Sequence, residues 1–141
     1  MIYFRDGDIP CSVESKNSIK KWVVVVAKSH GKNIGEVCVV SCSDKYLLDV
    51  NIEHLNHDYY TDIISFDYSE GVEISGDLLI SFDRVKENAK ENGVLFQEEL
   101  RRVIIHGVLH LVGFRDKTED EKSIMRAQEN AALKMFHVEP K

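Results

Sequence analysis

Hydrophobic and polar positions change their period several times along the chain, and each change marks an element. Ile2 to Arg5 reads as a short strand, and Ser18 to Ser29 as a helix with Gly31 as its stop. The run Val23-Val24-Val25-Val26 keeps a strand open as a competing reading of that segment. Ile34 to Ser43 alternates as a strand does, whereas Asp44 to Asn56 has helical spacing at Leu47, Leu48, Val50 and Leu55. Asp62 to Tyr68 and Val72 to Phe82 read as two paired strands around Ser69-Glu70-Gly71. Asp83 to Asn92 is a polar helix closed by Gly93. Gln97 to Val112 carries the strongest helical signal, and Val103, Ile104, Ile105, Val108, Leu109, Leu111 and Val112 mark it as buried. Thr118-Glu119-Asp120-Glu121 has the form of a capping box, opening a last helix that runs to about Phe136. Strands and helices in this order predict an α+β fold: one domain over residues 1–141, with helices packed on a mixed sheet of about four strands.

Composition narrows the class. A chain of 141 residues, 43% of them hydrophobic and 30% charged, is that of a soluble globular domain able to bury a core. The longest apolar run, around Trp22 to Ala27, is far too short to span a bilayer, so no membrane partner is expected. The start of the chain shows no basic segment followed by a long apolar stretch, so no signal peptide is expected. Cys11, Cys38 and Cys42 form no CxxC pair, and an odd number of thiols fits a reducing cytoplasm. A net charge of −6 argues against a general nucleic-acid surface, and DNA is not an expected partner. A local basic patch stays compatible with it, because a phosphate backbone feels the nearby field more than the total.

The chemistry is concentrated in His106-Gly107-Val108-Leu109-His110-Leu111-Val112-Gly113-Phe114-Arg115-Asp116. Two histidines four positions apart on a helix differ by only about 40° around its axis, so both imidazoles reach one ion. Gly113 is placed to end the helix in a left-handed turn, which brings Asp116 back toward the histidines at the C-terminal end of this buried helix. Three protein ligands, His106, His110 and Asp116, leave a position open for water, the pattern of a catalytic rather than a structural site. Zinc is the expected ion, with Mn²⁺ or Ni²⁺ as alternatives because a carboxylate suits harder ions. Glu98 and Glu99, two turns before His106, are candidates to orient an imidazole.

Three segments in order resemble one family. His106 to Asp116 resembles the HGxLHLxGxDH metal motif of the bacterial rRNA maturation factors, the YbeY-type endoribonucleases. Asn51 to Phe66 is similar to that family's segment ending in TDVLSF, and Gly76-Asp77-Leu78-Leu79-Ile80 to its GDI strand. The resemblance implies a metal-dependent endoribonuclease acting on single-stranded RNA. It also implies a role in maturing the 3′ end of 16S rRNA, with ribosomal RNA and the small ribosomal subunit as partners. The chain departs from the pattern in four places. Asp116 stands where the family usually has histidine, Arg115 where it has Asp, Leu55 where it has an arginine, and Tyr60 where it has proline. The resemblance then implies that the arginine's part is either lost or taken by Arg115, Lys117 or His57. Thr61, Asp62 and Ser65 are candidates to line the cleft, and Arg84, Arg101, Arg102, Arg115 and Lys117 to meet phosphates.

Two rival readings compete with this one. A zincin peptidase needs Glu directly after its first histidine as base, and Gly107 occupies that position, so proteolysis is disfavoured. A non-catalytic, metal-binding ribosome assembly factor is the alternative, and no residue stands out as general base. Asp116→His is expected to keep or tighten zinc binding. Metal analysis of the purified variant checks this, and complete loss of metal would show that Asp116 is not at the ligand position.

Overall fold

A computed structural model describes residues 1–136. The chain runs β1 (Ile2–Asp6), α1 (Lys16–Ser29), β2 (Asn33–Cys42), α2 (Asp44–Leu55), β3 (Ile63–Asp67), β4 (Glu73–Ser81), α3 (Phe82–Asn92), α4 (Phe96–Val112) and α5 (Glu119–Lys134). The α+β fold and the four-stranded mixed sheet expected from the sequence are present. The valine run is helical: Ile19, Trp22, Val23, Val26 and Ala27 form one buried stripe, while Val25 faces solvent. Burial of that stripe overrides the strand preference of valine. Element ends shift by one or two residues, and α5 stops at Lys134, short of Phe136. No helix among the described residues is long and apolar enough to cross a membrane.

The sheet has the order β1-β2-β4-β3. β1 and β4 flank β2 in parallel, and β3 pairs antiparallel with β4. A parallel pair cannot be joined by a tight turn, and α1 provides the crossover from β1 to β2. The β3–β4 hairpin closes around Gly71, whose φ of 57° would strain any residue with a Cβ. Val37, Val39, Ile74, Leu78 and Ile80 point from one face of the sheet into the core. Against them lies α4, which also touches α1, α3 and α5. Leu100, Val103, Ile104, Ile105, Val108, Leu109 and Leu111 are buried along it, so α4 is the central helix. Only its ends and one polar stripe are free for chemistry.

Close approach of α4 to the sheet explains a glycine. A Cβ on Gly76 would lie 2.4 Å from the Phe66 carbonyl oxygen and 2.8 Å from Leu111 Cδ2. Gly76→Ala therefore has to push β3 or α4 outward. We expect a loss of about 1–3 kcal/mol in urea denaturation. An unchanged midpoint would mean that these elements yield without cost.

Candidate metal centre

His106 and His110 project from the last two turns of α4 into a cleft of about 570 Å³. Each imidazole is half-buried, and each has one ring nitrogen committed to the protein. His110 Nδ1 lies 3.0 Å from the Phe114 carbonyl oxygen. A carbonyl only accepts, so that nitrogen carries the proton and Nε2 keeps its lone pair. His106 Nδ1 lies 2.6 Å from Glu129 Oε2 on α5. Burial alone would raise the Glu129 carboxyl, but hydrogen bonds from His106 and Arg102 outweigh it and hold it below the usual range. Glu129 is therefore an anion, and His106 Nδ1 donates to it.

The remaining atoms face one another. His106 Nε2 and His110 Nε2 are 3.0 Å apart, and Asp116 Oδ2 lies 3.1 Å from the first and 3.4 Å from the second. Among the described residues these three form the group whose ligand atoms all fall within 4.8 Å of one another. Donors bound at about 2.0–2.2 Å in tetrahedral array sit about 3.3 Å apart, so the spacing suits one ion. Two lone pairs and a carboxylate directed at one point repel unless a cation lies between them. The donor set accordingly fits a metal. Burial opposes charge on His106, yet the Glu129 hydrogen bond and the charges of Glu129, Asp116 and Asp62 hold its pKa above the ordinary imidazole value.

Local structure puts Asp116 there. Gly113, with φ 126°, ends α4 as expected, and its N–H is shared between the carbonyls of His110 and Leu109. The same turn carries the Phe114 carbonyl to His110. Downstream, the capping box is present as read: Thr118 Oγ1 accepts from Glu121 N–H at 3.1 Å, and Glu121 Oε1 accepts from Thr118 N–H at 3.0 Å. Asp116 is thus held on a short segment closed at both ends.

The other candidate residues separate into two groups. Thr61, Asp62, Ser65 and Lys117 line the cleft with the triad, as do Leu55 and His57. Burial pushes the Asp62 carboxyl above the usual carboxylate range, against the pull of His106 and of backbone amides. A neighbouring hollow of about 400 Å³ shares Asp62, His106 and Asp116 with this cleft and is also lined by Arg102 and Glu129. Several arginines are engaged elsewhere. Arg84 pairs with Asp44 at 2.7 Å and lies over the Tyr60 ring, Arg101 lies 4.4 Å over the Phe136 ring, and Arg102 holds Glu129 at 2.8 Å. Arg115 is exposed and outside the lining of the cleft.

Glu129 is the site residue that sequence reasoning missed. Glu98 and Glu99 do not meet an imidazole: Glu98 is exposed, and the buried Glu99 accepts from Asn92 Nδ2 at 3.4 Å. Seven residues along a helix is about 10 Å, beyond the reach of a hydrogen bond to His106. Glu129 succeeds because α5 packs against α4. A readable signal existed: Met125, Glu129 and Ala132 share the buried stripe of α5, and a carboxylate on such a stripe needs a partner.

A profile of the family described as Endoribonuclease YbeY matches residues 2–137. The chain belongs to that family. It is 47% identical over 128 residues to the Flavobacterium johnsoniae protein of that name, covering 91% of this chain and 92% of the relative. With the Bacteroides thetaiotaomicron protein of the same name it shares 50% over 120 residues, covering 85% and 88%. A Thermotoga maritima protein solved in solution has the same fold, with TM-score 0.66 and 22% identity over 96% of this chain and 89% of that one. Leu55 lies on the cleft rim, 42% exposed.

The Glu129 contact leads to a prediction. Glu129→Gln keeps the shape of the side chain but removes the charge, and should lower zinc affinity about 10- to 100-fold in competition titrations. Wild-type affinity would mean that the carboxylate does not tune His106.

Proposed function

We propose that residues 1–141 form a single metal-dependent endoribonuclease domain. It acts in the cytoplasm on ribosomal RNA of the small subunit and contributes to maturation of the 16S rRNA 3′ end. The observation that carries this reading is the convergence of two imidazole lone pairs and a carboxylate on one point at the edge of an open cleft. Membership of the YbeY family, whose relatives are named endoribonucleases, supplies the substrate class.

His106, His110 and Asp116 would hold the ion. Zinc is the first choice for two nitrogens and one oxygen, and the carboxylate keeps Mn²⁺ or Ni²⁺ in play. A divalent ion at this position lowers the pKa of water and offsets charge growing on the scissile phosphate. Glu129 and the Phe114 carbonyl fix which nitrogen of each ring is free, so both rings are oriented before any ligand arrives. Lys117 offers a positive charge to phosphate on the cleft wall. Thr61 and Ser65 offer hydroxyls there, though the Thr61 hydroxyl also reaches the Ile63 carbonyl at 3.3 Å. Asp62 stands on the cleft wall with its carboxyl pushed above the usual carboxylate range by burial, and so is a group able to exchange a proton with the leaving oxygen. The non-catalytic assembly-factor alternative is not favoured by the relatives.

The test is cleavage of a labelled rRNA 3′-end fragment by wild type and His110→Ala, purified identically, with metal content determined on both. His110→Ala should lose its metal and at least about 100-fold in cleavage rate while keeping its fold. Equal cutting by the metal-free variant would overturn the mechanism. A metal-loaded wild type that leaves RNA intact even within ribosomal particles would favour the assembly factor.

A further inference from the structure

The rim of the metal cleft carries a feature that hydrolysis itself does not use. His57 and Tyr59 lie there, on the segment joining α2 to β3. Their rings are stacked, with centroids 5.2 Å apart and planes 20° from parallel, and Tyr59 Oη lies 3.0 Å from His57 Nδ1. Tyr59 is 55% exposed. An exposed tyrosine on a loop is ordinary, but this one is held firmly from beneath. Asn51, only 2% exposed, accepts the His57 N–H on its carbonyl oxygen at 3.1 Å and donates from Nδ2 to the Tyr59 carbonyl at 2.9 Å. Asn56 supplies the left-handed residue, φ 55°, that turns the chain between these anchors. One buried residue therefore anchors the main chain beneath both rings while the rings stay open to solvent.

The charge of the cleft adds a second argument. Among the described residues its lining includes the carboxylates Asp62 and Asp116, one lysine and no arginine. Beyond Lys117 and the ion itself, such a surface gives a polyanionic backbone little to hold. Flat aromatic faces can grip an unpaired base without any charge, since every base has a π-face. In a duplex the same faces are already covered by stacking.

We infer that the His57–Tyr59 pair is a stacking platform for one unpaired nucleobase beside the scissile phosphate, and that it sets a preference for single-stranded RNA. This rests on the endoribonuclease reading above and assigns the pair a role in binding and specificity, not in bond cleavage.

The experiment uses metal-loaded protein and a short single-stranded oligoribonucleotide carrying 2-aminopurine, with 2′-O-methyl groups blocking cleavage. Binding to wild type should quench the 2-aminopurine, and annealing the strand to its complement should abolish the effect. Tyr59→Ala and Tyr59→Leu should both lose the quench and bind about 10-fold or more weakly, with metal content unchanged. Tyr59→Phe, which keeps the ring, should restore both. On a cleavable strand the Ala and Leu variants should raise KM by more than they lower kcat. Wild-type quenching and KM in the Leu variant would overturn the platform while leaving the nuclease reading intact. A wild type that neither binds nor cuts RNA would overturn the nuclease reading itself.

Discussion

Two imidazole nitrogens with free lone pairs cannot sit 3.0 Å apart in a half-buried site unless a cation or a proton lies between them. Much of the surrounding structure serves that arrangement. Each ring must satisfy its outer nitrogen from within the protein, because leaving a buried polar group unpaired costs roughly 1–3 kcal/mol. The Phe114 carbonyl does this for His110, and Glu129 does it for His106. Glu129 is in turn held by Arg102 at 2.8 Å, while Arg102 also reaches Asn130 at 3.0 Å. The result is a chain of charge-assisted contacts from α4 across to α5. Removing one member leaves an uncompensated charge behind, which is why an isosteric change at Glu129 tells more than a truncation.

The third donor depends on a different kind of constraint. Asp116 lies outside any helix, and such segments are normally the least determined part of a fold. Here Gly113 reverses the chain and the Thr118–Glu121 capping box begins α5 two residues beyond Asp116. A cap of this kind contributes about 0.5–2 kcal/mol, so the segment carrying Asp116 has a defined end on each side. A carboxylate in place of an imidazole brings one negative charge to the donor set. That change bears on which divalent ion is preferred without altering the geometry that holds it.

Cleft and core meet along the β3 edge of the sheet. The backbone carbonyl of Asp62 accepts from Ser81 N–H at 2.9 Å, tying the start of β3 to the end of β4, and Gly76 lets α4 come close to that hairpin. The wall bearing Thr61, Asp62 and Ser65 is thereby set at a fixed distance from the helix bearing the histidines. Opposite demands meet in this small space: apolar packing below, and above it a polar surface with two carboxylates and an aromatic rim.

Short-range physics made much of this legible in the sequence. The period of apolar positions, the Gly113 stop, the capping box and the i, i+4 pair His106/His110 each involve residues within a turn or two of one another, where helix geometry dictates what can touch. The order of those signals also carried the α+β class, and three matching segments carried the family. Contacts between distant residues were beyond that reach. His106 meets Glu129 across 23 residues, and Arg84 meets Asp44 across 40, so the sequence displayed these charges without their partners. Arg84, Arg101 and Arg102, read as phosphate contacts, meet Asp44, the Phe136 ring and Glu129 within the protein, and the orienting carboxylate comes from α5, not from α4 itself. The two anchors of Asn51 are local, yet its burial and the exposure of the rings above it depend on how α2 and β3 pack. Local spacing by itself determined which residues could share an ion; the packing of α5 and β3 against α4 decided which groups orient them, because only tertiary contact can pair charges that the chain keeps apart.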